Sequence, residues 1–322
     1  MWYKVKKIFV WDKQVRPVIP PYLCFTANTA NSTVQLTKTG SPTAVTLETS
    51  TDGSNWTTYT IWTTITLSNI WDKVYRRNTS TTDTWFSLGY SNRYQFAMTG
   101  SIAWSWDVNY LLNKNSTTTV SSNCYYNLFY WCTSLTTSPQ LPATTLAEYC
   151  YCYMFYWCTW LTNAPSLPAT ILVNDCYTLM FQNCTSLTTA PQLPATTLAE
   201  WCYNSMFQWC TWLTTAPTLP STTLAKYCYI SMFDWCTNLT TLPKLPATTL
   251  IAGCYSSMFY WCSKIKLSGT QTWEYQTAYR IPTTWTGTTA NYALDSMFAS
   301  TWWTFTWTPT INTTYYTSNT VV

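Results

Sequence analysis

The chain has 322 residues, 16 Lys and Arg against 12 Asp and Glu, no histidine and a net charge of +4. Five of the basic residues, Lys4, Lys6, Lys7, Lys13 and Arg16, lie at the start against Asp12 alone, and the remaining eleven face eleven acidic residues. A near-neutral body rich in Thr, Ser, Tyr and Asn lacks the clustered positive charge that phosphate binding needs, so nucleic acid is excluded as the expected partner. The absence of histidine excludes a histidine base or a histidine metal ligand.

Residues 1–23 open the chain with Val5, Ile8 and Val10, a strand pattern that Pro17, Pro20 and Pro21 end. The segment reads as a short N-terminal strand or tag of the kind shared among surface or virion-type proteins. Its charges read as a solvated edge, with contact to a membrane or polyanion as the alternative. No run of about 7–15 apolar residues follows them, so a secretory signal is not expected. No stretch of the chain is long and apolar enough to span a bilayer as a helix.

Residues 24–112 alternate polar and apolar residues, as in Ala44-Val-Thr-Leu47, Tyr59-Thr-Ile61, Ile65-Thr-Leu67 and Lys73-Val-Tyr75. Turn signals separate these runs at Gly40-Ser-Pro42, Asp52-Gly53 and Trp71-Asp72. The pattern predicts a small antiparallel β-domain, which would also cover the open end of the repeats that follow.

Residues 113–270 carry the strongest signal. Cys124, Cys150, Cys176, Cys202, Cys228 and Cys254 recur every 26 residues, as do Cys132, Cys158, Cys184, Cys210, Cys236 and Cys262. Leucine columns keep the same step, one of them Leu135, Leu161, Leu187, Leu213 and Leu239. Self-similarity at a fixed period marks a repeat architecture. In the unit from Pro142 to Pro168, Thr145 and Glu148 match a capping box, and Leu146, Cys150, Met154 and Cys158 follow at four-residue steps, the spacing of one helical face. Leu161-Thr-Asn-Ala-Pro165 alternates and is stopped by proline, which predicts a short strand. The expected fold class is therefore an α+β repeat protein: a right-handed leucine-rich-repeat solenoid, one strand plus one short helix per coil, its strands in one parallel sheet, behind an N-terminal antiparallel β-domain.

The repeat, quoted from Met180-Phe181-Gln-Asn-Cys184-Thr-Ser-Leu187-Thr-Thr-Ala-Pro191-Gln-Leu193-Pro194-Ala-Thr-Thr-Leu198-Ala, resembles the BspA-like leucine-rich-repeat surface proteins. The resemblance implies a surface-displayed, ligand-binding or adhesive protein, cellular or virion-borne, and brings no catalytic residues with it.

The tryptophans are anomalous. The residue before the second cysteine is Trp131, Trp157, Asn183, Trp209, Trp235 and Trp261, at a helix-end position where a left-handed backbone favours glycine, then asparagine. Trp201 lies two periods before Gly253, and Trp160 and Trp212 share a column with Ser134, Ser186 and Asn238. The chain has 7 Gly, about 2%, where about 7% is usual, and 21 Trp. The pattern points to UGA codons that the source reads as glycine. Trp56, beside Gly53, is the expected true tryptophan. The alternative is a genuine tryptophan-rich, ligand-stacking surface.

Residues 271–322 read as a degenerate repeat, marked by Met297-Phe298, and a C-terminal cap with closing strands at Thr304-Phe-Thr and Tyr315-Tyr-Thr. The two cysteine ladders read as reduced core thiols, with disulfides between coils or a metal as alternatives; close ligand pairs of the kind zinc prefers are missing. No catalytic, cofactor-binding or metal site is expected. The expected contact surface is the column Thr136, Thr162, Thr188, Thr214 and Thr240, each next to an inward leucine and so pointing outward. The expected function is non-enzymatic recognition or adhesion, binding protein or glycan through the solenoid. The alternative is a structural phage tail or fibre-type subunit with the solenoid as spacer or receptor-binding part.

Overall fold

A computed structural model describes residues 22–81, 86–113, 118–282, 284–285, 292–303 and 308–322. The basic N-terminal strand and the strand expected at Thr304-Phe-Thr lie outside the described residues.

The N-terminal part follows from period-two alternation. Strands β1 (Leu23–Ala27), β2 (Ser32–Thr39), β3 (Leu47–Ser50), β4 (Thr57–Tyr59), β5 (Thr64–Leu67), β6 (Lys73–Asn78), β7 (Arg93–Thr99) and β8 (Ile102–Ser105) pair antiparallel with one another. One sheet runs β5-β2-β7. The other runs β4-β3-β6-β1-β8 and takes in β9 (Leu135–Thr137) of the first repeat. Val34 and Leu36 of β2 are buried while Thr33, Gln35 and Thr37 are half-exposed, the mark of a strand with one face on a core. The two sheets meet through Phe25 of β1 and Phe96 of β7, whose ring centroids are 5.2 Å apart. Phe96 also stacks on Phe129 at 5.4 Å, carrying this core into the first repeat.

Beyond Ser105 the expected α+β solenoid is not what forms. Among the described residues there is no α-helix. The single helical segment is a four-residue 3-10 turn, Val108–Leu111. The sheets are several, small and separate, and none closes. The element read as a helix is instead a series of turns with a left-handed residue at every fourth position: Asn123, Asn127 and Trp131, then Tyr149, Tyr153 and Trp157, then Asp175, Leu179 and Asn183. Every second amide, those of Cys124, Tyr126, Leu128, Tyr130 and Cys132, donates to the carbonyl three residues back. The intervening amides of Asn123, Tyr125, Asn127, Phe129 and Trp131 donate to Glu148, Cys150, Cys152, Met154 and Tyr156 in the next coil, at 2.8–3.2 Å. An α-helix keeps all its bonds within itself, whereas half of these run between coils. The four-residue step of Leu146, Cys150, Met154 and Cys158 is thus the period of a turn rather than the 3.6 of a helix. The capping box at Thr145 and Glu148 caps nothing: the Glu148 carbonyl accepts from Asn123.

The expected strands shrink for a simple reason. Between coils, Thr137, Asn163, Thr189 and Thr215 pair with one another only as isolated parallel bridges, Thr137 pairing also with Ala103 of β8, and a proline stands two residues after each, Pro139, Pro165, Pro191 and Pro217. Proline has no N–H for a longer ladder. Side chains 26 apart nevertheless stack in columns. The rings of Phe129, Phe155, Phe181, Phe207, Phe233 and Phe259 follow one another at 5.3–5.8 Å. So do Tyr125, Tyr151, Tyr177, Tyr203, Tyr229 and Tyr255 at 5.7–5.8 Å.

The C-terminal part supplies β10 (Thr241–Leu242), β11 (Thr249–Leu250), β12 (Lys266–Ser268), β13 (Thr277–Arg280), β14 (Thr284–Trp285), β15 (Trp302–Trp303), β16 (Thr314–Thr317) and β17 (Thr320–Val321). A last turn series around Met297 and Phe298 stacks on the coil before it, Phe298 lying 5.3 Å from Phe259. Strands β13, β16, β12 and β15 form a four-stranded sheet in that order.

Candidate functional site

The threonine column emerges from the bridge positions. Leu161, Leu187, Leu213 and Leu239 are fully buried, and the residues after them, Thr162, Thr188, Thr214 and Thr240, are exposed. Thr136 differs. It is half-buried, its Oγ1 donates to the Ile102 carbonyl at 3.1 Å and accepts from Asn28 Nδ2 at 3.0 Å, so the N-terminal sheet covers it. Further along, the hydroxyls of Thr162, Thr214 and Thr240 donate to the carbonyls of Thr136, Thr188 and Thr214 at 3.1–3.4 Å. A hydroxyl whose proton is committed inward offers lone pairs outward, so these three present acceptors to a ligand. Asn163, Thr189 and Thr215 are exposed beside them.

The column runs into a cleft of about 680 Å³ lined by Thr240, Ser263, Lys264, Lys266, Tyr275 and Asn319, a size typical of ligand pockets. Lys266 stands 26 residues after Thr240 and is the next member of the column; this step was readable, and lysine replaces threonine there. Lys264 Nζ donates to Asn238 Oδ1 at 2.6 Å, and Lys266 Nζ lies 3.8 Å from Glu274. Asn319, brought from the end of the chain, donates to the carbonyls of Thr240 and Lys264 at 3.0 Å. No sequence pattern announces that contact, because it joins segments 79 residues apart.

All fourteen cysteines are buried and none is joined in a disulfide. The second ladder is held by hydrogen bonds: the thiols of Cys158, Cys184, Cys210 and Cys236 donate to the carbonyls of Phe129, Phe155, Phe181 and Phe207 at 3.1 Å. Burial pushes the thiols up, Cys202 and Cys254 to about 12, and a thiol that does not ionise is not a nucleophile. No group of three His, Cys, Asp or Glu residues able to hold a metal occurs among the described residues. Among the described residues burial raises two carboxyls of the stack, Asp175 and Asp234, the shift being large only for Asp234. Burial raises it to about 6, while Gln208 Nε2 donates to it at 2.5 Å and Gln182 in turn donates to Gln208.

Comparison with family models, curated proteins and solved structures finds no match to this chain. Among the described residues no helix is long and apolar enough to cross a membrane.

Proposed function

We propose that the chain is a non-enzymatic recognition or adhesion protein of a cell or virion surface, binding protein or glycan through its threonine column. The observation that carries this reading is the in-register exposure of Thr162, Thr188, Thr214 and Thr240 on a face that ends in the Lys264–Lys266 cleft. Outward acceptors suit a ligand rich in donors, such as sugar hydroxyls or peptide amides, and the ammonium groups at the cleft add donors for an acidic or carbonyl-bearing end. The resemblance of the repeat to BspA-like surface proteins supports the same reading. So does the sealing of every thiol in a chain without histidine.

The test is a glycan and protein array probed with the chain and with a Thr162→Lys, Thr188→Lys, Thr214→Lys variant whose fold is checked by circular dichroism. Binding that disappears in the folded variant supports the reading. Binding that persists places recognition elsewhere, and a native chain that binds nothing favours the tail or fibre spacer.

A further inference from the structure

Left-handed backbone is where glycine belongs, and the tryptophans of this chain behave as glycine does. Five of the six described glycines have positive φ, as do nine of the seventeen tryptophans whose backbone is described: Trp62, Trp71, Trp106, Trp131, Trp157, Trp201, Trp209, Trp235 and Trp261, with φ between 55° and 77°. In ordinary proteins only a few per cent of non-glycine residues adopt this region, and for a bulky residue it is an outlier. The bias is not a property of large aromatic rings in this fold. Four of the twenty-four described tyrosines have positive φ and none of the ten described phenylalanines does. The four tyrosines, Tyr149, Tyr153, Tyr227 and Tyr292, all sit in the first two left-handed columns of the coils. The third column holds Trp131, Trp157, Asn183, Trp209, Trp235, Trp261 and Ser300, and no other bulky residue.

Three of the nine lie outside the coils and so owe nothing to repeat register. Trp71 follows β5 in a turn closed by Asn69 N–H on Asp72 Oδ2 at 2.8 Å. Trp62 stands between β4 and β5, and Trp106 after β8. None of the nine is buried, and Trp71 and Trp131 are 72% and 51% exposed. Tryptophans on ordinary backbone include ones that do pack. Trp56 lies under the Arg77 guanidinium at 4.0 Å and beside Tyr22 at 5.6 Å. Trp104, which the composition alone did not single out, is buried against Phe25, Phe96 and Phe129. Gly253 occupies the column of Trp201 and Tyr227, and there a Cβ would lie 2.2 Å from the Tyr227 ring, so a genuine glycine in this series is one the packing requires.

We infer that the natural protein carries glycine at the nine left-handed tryptophan positions, encoded by UGA codons that its source reads as glycine. The third column of each coil is then a strip of bare backbone interrupted by Asn183, and the indole stack of Trp209, Trp235 and Trp261, at 4.2–4.7 Å, is not a ligand surface of the natural molecule.

The inference is independent of what the threonine face binds. Peptide mass spectrometry on the protein isolated from its source should find the peptides covering Asp234-Trp235-Cys236 and Ile70-Trp71-Asp72 lighter by the tryptophan-to-glycine difference, and a tryptophan mass in either overturns the inference. Separately, a recombinant chain carrying Trp62→Gly, Trp71→Gly and Trp106→Gly should unfold at a higher temperature than the chain as written. A midpoint that does not rise counts equally against it.

Discussion

Arg76 offers the sharpest test of the energetics. The pleat of β6 sends Val74, Arg76 and Asn78 to the buried face. Asn78 is satisfied there, its Nδ2 donating to the Leu111 and Leu112 carbonyls at 2.8 and 3.1 Å. Arg76 is not. Its Nε, Nη1 and Nη2 have no acceptor, and the guanidinium lies over the Tyr59 ring at 3.7 Å with Phe25 and Phe96 at 5.8 and 5.6 Å. Burial lowers its pKa from the ordinary value. Each unpaired buried donor costs about 1–3 kcal/mol, while a desolvated cation–π contact returns about 2 kcal/mol. Arg76→Met keeps the length and the apolar packing while removing the donors, so the variant should be about 1–3 kcal/mol more stable, in the range seen when buried ions give way to apolar side chains. Arg77 is the internal control. On the outer face of the same strand it pairs with Glu48 at 2.7 Å, and Arg77→Met should cost at most about 1 kcal/mol. Urea titrations compare the midpoints at unchanged slope. A lower midpoint for Arg76→Met would refute the reasoning, because it would mean that the buried guanidinium is worth more than the donors it strands.

Two further outcomes follow from the coil stack. Phe181 is fully buried between Phe155 and Phe207, with centroids at 5.5 and 5.7 Å, so Phe181→Ala should lose about 3–5 kcal/mol; a loss under about 1 kcal/mol by chemical denaturation would show that the column collapses on the gap. Asp234 titrates near 6 in the folded chain against an ordinary 3.8, so the folded state binds its proton more tightly than the unfolded state does. Its contribution to stability is therefore full below pH 4 and lost as pH rises through 6. Asp234→Asn, which keeps an acceptor for Gln208, should remove that slope and add about 2 kcal/mol at pH 8; a pH–stability profile parallel to the native one sinks the assignment.

The 26-residue columns were legible because burial selects side chains one position at a time, and Phe181, Cys184 and Leu187 each declare themselves at the same step. The local conformation was not, because a step of four fits both a helix and a turn with one left-handed residue. The discriminating signal lay in the residues between the apolar ones. The left-handed column of Asn127 holds the small polar Ser205, Ser231 and Ser257 beside Tyr153 and Leu179, and the column of Asn123 holds Asp175 and Gly253 beside Tyr149, Trp201 and Tyr227. A helix has no use for left-handed residues every fourth position. The threonine face was legible in part. Thr162, Thr188, Thr214 and Thr240 are exposed as the neighbouring leucines dictate, but the cover over Thr136 from Asn28 and the closure at Thr240 by Asn319 are contacts between distant segments, which periodicity cannot express.

The hydrogen-bond pattern also accounts for why the period does not slip. Five amides of each of the first five turn series reach the coil 25 residues on, in the first from Asn123 to Glu148 through to Trp131 to Tyr156, and a residue inserted within a series would break all those beyond it and leave buried amides unpaired. Length can change only between the series. That is where it does change: Tyr255, Ser257, Phe259 and Trp261 bond to Ala293, Asp295, Met297 and Ala299, a step of 38. The two-residue spacing inside the series survives while thirteen residues are added outside it. The inserted stretch contributes Tyr275 to the cleft beside Lys264 and Lys266. Variation in length is thus confined to the end of the threonine column, whereas along the column from Thr162 to Thr214 only side chains can vary. On the proposed reading of this face as a recognition surface, specificity would be adjusted by substitution along the face and by insertion at the cleft.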